Sequence, residues 1–159
     1  MSSQPTSILI VDDEPTLRMV LQKCLSASGF AAEEARSGEE ALAAIRQRPF
    51  DLVLLDLDMP GLGGAEACRE ISNVAPQTGI VIMSVRDGLN DVVDTLAAGA
   101  DDYVTKPFGF RELVARLQAV HRRAQRPRAS LPASLTAGSS IGIRSTGTRP
   151  LVFIMMIVD

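Results

Sequence analysis

Four short apolar runs and one weaker one, each followed by a helical stripe, constrain this chain more than any other feature. The apolar runs are Ile8–Val11, Leu52–Leu55, Ile80–Met83 and Tyr103–Val104, and Phe30–Glu34 is the weaker one. Leu52–Leu55 and Ile80–Met83 are apolar at every position, without alternation. That is how a strand reads when both of its faces are covered. Pro15 opens the first intervening helix, where a missing N–H costs nothing. Leu17, Val20, Leu21, Cys24 and Leu25 form its apolar stripe, and Gly29 ends it. Ser37 with Glu40 predicts a capping box for a second helix carrying Ala41, Leu42 and Ile45. A third helix is predicted from near Ala65 to before Pro76. Leu89, Val92, Val93 and Leu96 mark a fourth, closed by Gly99, and Leu113, Val114, Leu117 and Val120 a fifth, fading at His121–Arg123. Strands alternating with helices of this length imply βαβ units and a parallel sheet. Right-handed crossovers place helices on both faces. The fold class is α/β, a five-stranded doubly wound sheet. At 159 residues and 46% apolar, the chain can bury such a core unaided.

In a doubly wound sheet the site lies off the carboxyl ends of the strands. Here those ends carry Asp12 and Asp13, then Asp56, Ser84 and Lys106. Taken singly, each has an ordinary structural explanation. Asp12–Asp13 before Pro15 could cap a helix, Asp56 suits a turn, and Tyr103 fits a half-buried strand position. Taken together, three carboxylates in one crevice repel, so a proton or a cation is expected among them. Oxygen-only ligands favour a hard cation such as Mg²⁺. Asp is also a competent nucleophile toward phosphorus. Lys106 would then neutralise phosphoryl oxygens and Ser84 would donate a hydrogen bond to one.

This set of residues resembles the receiver domain of two-component response regulators, over about residues 6–124. The likeness is carried by Ile-Val-Asp12-Asp13-Glu14, Leu-Leu-Asp56-Leu-Asp58-Met-Pro60-Gly61, Ser84, and Gly99-Ala-Asp-Asp-Tyr103-Val-Thr-Lys106-Pro107-Phe108. The last stretch and the following Glu-Leu-Val-Ala-Arg look most like regulators that carry a winged helix. The resemblance implies a flavodoxin-like strand order of 2-1-3-4-5. It implies that Asp56 accepts a phosphoryl group from a sensor histidine kinase. Asp12, Asp13, Asp56 and the backbone carbonyl of Asp58 would hold Mg²⁺. Lys106, ahead of a cis peptide to Pro107, would pair with the phosphoryl group. Ser84 and Tyr103 would be the switch pair, the hydroxyl moving toward phosphate and the ring turning inward. Such a domain catalyses its own phosphorylation and dephosphorylation without being a dedicated enzyme.

Several positions depart from that pattern. Val85 stands where a small residue is usual and should narrow access to the phosphoryl pocket. Asp58 and Arg86 are read as rim residues able to pair. Asp102, Glu112 and Arg116 match a homodimer face formed by the fourth helix, fifth strand and fifth helix. Val92 and Ala98 replace charged partners expected there, leaving a more apolar face.

Charge divides the chain. Residues 1–121 carry 10 Lys/Arg against 18 Asp/Glu, and residues 122–159 carry 6 Arg against Asp159. An acidic body argues against nucleic acid as its main partner. Residues 125–159 are expected to be a basic linker and a disordered or truncated tail, too short for a winged helix, so no sequence-specific DNA binding is expected. An alternative is the remnant of a DNA-binding regulator. A second, a haloacid-dehalogenase-type phosphatase using Asp56-Leu-Asp58, is opposed by Pro60 and by Asp12–Asp13 holding the first strand's end. Met1–Ser7 has no signal-peptide character and Leu151–Val158 is too short to span a bilayer. The expectation is a cytoplasmic protein with no membrane contact. Cys24 and Cys68, both in helical patterns, are expected as buried thiols.

Overall fold

The computed structural model describes residues 3–85 and 88–126. The elements run β1 (Ser7–Val11), α1 (Pro15–Ala27), β2 (Ala31–Ala35), α2 (Gly38–Gln47), β3 (Leu52–Asp56), α3 (Gly64–Val74), β4 (Gly79–Ser84), α4 (Leu89–Ala97), β5 (Asp102–Thr105) and α5 (Phe110–Gln125). The strands form one sheet in the order β2-β1-β3-β4-β5, and every pairing is parallel. Strand order reverses between β1 and β3, which makes the crevice beyond their carboxyl ends the natural site. These elements belong to one unit that ends at Gln125.

Period-two alternation sorts the core into two layers. Leu9, Val11, Val53, Leu55, Ile80 and Ile82 pack on one face with Leu42 and Ile45 of α2 and Ile71 of α3. Ile8, Ile10, Leu52, Leu54, Val81 and Met83 pack on the other with Leu21 and Leu25 of α1 and Leu113 and Leu117 of α5. Both faces of β3 and β4 are covered, which is why their sequences do not alternate. Cys68 is buried in the first layer, while Cys24 is only partly covered.

The local signals hold with small shifts. The Ser37 hydroxyl accepts the Glu40 N–H at 3.1 Å. Only half of the capping box forms, because the Glu40 carboxylate turns to Arg36 instead. β2 is displaced by one residue from the expected Phe30–Glu34, β1, β3, β4 and β5 each extend one residue past the expected run at one or both ends, and α3 starts one residue earlier. α5 does not fade at His121–Arg123 but continues to Gln125. Arg122 and Arg123 in its last turn suit the negative end of the helix dipole.

Gly64 sets the distance between α3 and the end of β3. A Cβ there would lie 2.5 Å from the Leu57 Cα and 2.6 Å from the Asp56 carbonyl oxygen. Only glycine lets α3 start this close to the backbone that carries Asp56. The expected linker and tail from residue 127 onward lie outside the described residues, as does Arg86. Among the described residues, no helix is long and apolar enough to cross a membrane.

Candidate functional site

Sheet-like hydrogen bonds carry past the strand ends and hold the crevice in place. The Asp12 N–H donates to the Ala35 carbonyl at 3.2 Å, Leu57 N–H to Met83 at 2.9 Å, and Lys106 N–H to Ser84 at 2.7 Å. The side chains at these ends therefore sit on rigid backbone.

Asp12 is 1% exposed and Asp56 is 3% exposed. One Asp12 oxygen accepts the Glu14 N–H at 2.8 Å. The other lies 3.3 Å from the Lys106 ammonium. Asp56 Oδ1 accepts the Asp58 N–H at 3.2 Å and lies 3.3 Å from the same ammonium. Lys106 thus bridges two buried carboxylates from two strands. Asp13 is exposed at the mouth. Oxygens of Asp12, Asp13 and Asp56 all lie within 4.8 Å of one another. Such an all-oxygen set suits Mg²⁺, which prefers carboxylate and water ligands at short range.

The electrostatics follow from burial. Burial pushes the Asp56 carboxyl above the ordinary carboxylate range, and the Asp12 charge adds to this, against the Asp58 N–H and Lys106. Burial alone would lower Lys106, but the charges of Asp12 and Asp56 outweigh it and hold the ammonium above its usual value. The lysine stays charged while the Asp56 carboxylate beside it is short of compensation. A divalent cation or a transferred anionic group with its counter-ion would complete the balance.

Ser84 is fully buried, and its hydroxyl donates to Asp58 Oδ2 at 3.1 Å. Tyr103 is 8% exposed and packs in the first core layer with Ala98 and Ala100. The Lys106–Pro107 peptide is cis. Val85 follows Ser84 and is 64% exposed.

Asp102, Glu112 and Arg116 come together on β5 and α5. The Arg116 guanidinium lies 3.1 and 3.2 Å from the two Asp102 oxygens and 3.1 Å from Glu112. Asp102 and Glu112 thus already have a partner in Arg116 of their own chain.

Sequence reasoning overlooked Arg18. Its guanidinium donates to the Asp12 carbonyl at 2.7 Å and pairs with Glu34 at 3.2 Å, tying α1 to the ends of β1 and β2. A signal was present. A cation in the first turn of a helix opposes the helix dipole, so it needs a compensating partner. The Asp58 carboxylate was also overlooked as a partner of Ser84. No local pattern announces a contact between side chains 26 residues apart.

Comparison with known proteins agrees with this geometry. Residues 8–118 match the family model described as response regulator receiver domain. The response regulator MprA of Mycobacterium sp. (strain KMS) is 42% identical over 119 residues, 75% of this chain and 52% of that protein. The transcriptional regulatory protein ResD of Bacillus subtilis (strain 168) is 42% identical over 119 residues, covering 75% and 49%. The chain therefore spans about half the length of these curated relatives. Among solved structures, a response regulator receiver domain protein (CheY-like) from Methanospirillum hungatei JF-1 superimposes with a TM-score of 0.72 at 28% identity, covering 76% of this chain and 96% of the other.

Proposed function

Because this chain belongs to the response regulator receiver domain family of two-component systems, we propose that it is a phosphoaspartate switch with Asp56 as phosphoacceptor. The observation that carries this reading is the Lys106 ammonium, 3.3 Å from a carboxylate oxygen of both Asp12 and Asp56. A buried carboxylate beside a fixed cation is a nucleophile whose product charge is already matched.

In this reading an Asp56 oxygen attacks the phosphorus of a phosphohistidine. The P–O bond forms as the P–N bond breaks, and the imidazole leaves on its own protein. Lys106 stays against the new phosphoryl oxygens and offsets their charge. Ser84 then donates its hydroxyl hydrogen to one of them. Arg18 keeps Asp12 in place through its carbonyl. Asp12, Asp13, Asp56 and the Asp58 carbonyl would hold Mg²⁺, which when bound supplies charge neutralisation for the transferring group. The same site would later hydrolyse the acyl phosphate.

The partner is a sensor histidine kinase, and the kinase's phosphorylated histidine implies a cytoplasmic setting. Receiver function is assigned to residues 6–125, one residue past the expected boundary because Gln125 closes α5, and the residues after it to a linker and tail. Switching would alter contacts made by α4, β5 and α5, including those of a homodimer. In a regulator about twice the matched length, the remaining half would read that change.

The test uses the full chain with Mg²⁺ and acetyl phosphate, read by intact mass, beside Asp56→Asn. One phosphoryl adduct that needs Mg²⁺ and is lost in the variant is expected. No adduct, or an unchanged adduct in Asp56→Asn, overturns the assignment.

A further inference from the structure

The buried Ser84 hydroxyl is bonded to Asp58, two residues past Asp56. Ser84 ends β4, and Asp56 ends the neighbouring β3. β3 and β4 are paired up to Asp56 and Met83. Leu57 N–H then continues the ladder to the Met83 carbonyl. Asp56 and Asp58 therefore both border the end of β4, one on each side of Leu57. The hydroxyl has one proton to donate. That proton is committed to Asp58 Oδ2 at 3.1 Å. An ionised acceptor makes this a charge-assisted bond, about twice as strong as a neutral one.

We propose that Asp58 is a positioning residue that competes with the phosphoryl group on Asp56 for the single proton of Ser84, and so sets how readily the domain enters its switched state. The proposal rests on the phosphoacceptor reading of Asp56. In the resting chain the hydroxyl is latched to Asp58. Adding a phosphoryl group offers a second anionic acceptor on the Asp56 side. Ser84 can serve it only by releasing Asp58 Oδ2, because the hydroxyl has a single hydrogen to give.

A graded set of variants tests the competition. Beryllofluoride, with Mg²⁺ saturating, stands in for the phosphoryl group. Its binding is followed by the emission of Tyr103, the only tyrosine in a chain without tryptophan. Fluorine NMR gives an independent reading. Asp58→Asn keeps a neutral acceptor and should bind the probe a few-fold more tightly than the wild type. Asp58→Ala removes the acceptor and should bind it about tenfold more tightly, the scale set by a hydrogen bond to a charged group. In a Ser84→Ala background neither substitution should change the affinity. A structural role, or simple removal of negative charge near the cation, would raise affinity equally in both backgrounds, and that result overturns the latch. Unchanged affinity in the Asp58 variants with Ser84 intact overturns it too. Absence of binding in every variant, or full binding in Asp56→Asn, overturns the phosphoacceptor reading itself, and the latch with it.

Discussion

Lys106 reaches Asp56 across an intervening strand. β5 and β3 are not neighbours, since β4 lies between them, yet the Lys106 ammonium stands 3.3 Å from the Asp56 carboxylate. The same ammonium meets Asp12 from β1 at equal distance. One cation from the sheet edge thus holds together two carboxylates that would otherwise repel.

Lys106→Met keeps the length of the side chain and removes its charge. Phosphorylation by acetyl phosphate should slow by about 100-fold or more, the scale of losing a preorganised charge at a reacting centre. Intact-mass time courses measure this, and far-ultraviolet circular dichroism should show the fold retained. A rate within a few-fold of wild type would remove Lys106 from the chemistry.

Asp56→Asn should stabilise the metal-free protein at neutral pH. The Asp56 carboxyl is raised above its ordinary range by burial. The folded state therefore binds its proton more tightly than the unfolded state does. The resulting penalty is present at neutral pH and fades as pH falls through the raised folded-state value into the ordinary carboxylate range. In EDTA at pH 7 the variant should melt at a higher temperature than the wild type. The gain should shrink on acidification and should be reversed by Mg²⁺, which stabilises the wild type more. Thermal melts at several pH values test the sign.

Arg18→Met should weaken Mg²⁺ binding without touching a ligand. The guanidinium holds the Asp12 carbonyl at 2.7 Å and Glu34 at 3.2 Å. Losing such support around a metal site costs about 10–100-fold in affinity. Arg18→Lys should not restore it, because an ammonium cannot span two acceptors with a planar fork. Mg²⁺ titrations of Tyr103 emission give the comparison. Equal affinities in wild type and variant would make Arg18 a surface residue only.

Gly64→Ala should damage both fold and site. The added methyl would meet backbone of Asp56 and Leu57 at 2.5–2.7 Å, and backbone cannot rotate away. A loss of about 2 kcal/mol or more in urea unfolding is expected, on the scale of core overpacking. Phosphoacceptor activity should fall with it, since α3 must retreat from the end of β3 that carries Asp56. A stability change under about 0.5 kcal/mol would mean that the loop yields freely.

The elements and the residues at their ends were legible in the chain alone. Apolar runs such as Leu52–Leu55, the Pro15 start and the Ser37 cap are local signals, and each constrains backbone within one or two turns of itself. The parallel sheet followed from their alternation, and Asp12, Asp13, Asp56, Ser84 and Lys106 followed as strand-end residues of that sheet. Which acceptor each donor takes was settled only by packing. Ser84 gives its proton to Asp58, Arg116 pairs with Asp102, and Arg18 grips a carbonyl of Asp12 rather than its carboxylate. The full capping box failed for the same reason, with Arg36 winning Glu40. These are competitions between groups that the fold makes neighbours. Their outcome depends on distances of a few tenths of an ångström and on burial, neither of which is written in any local stretch of sequence.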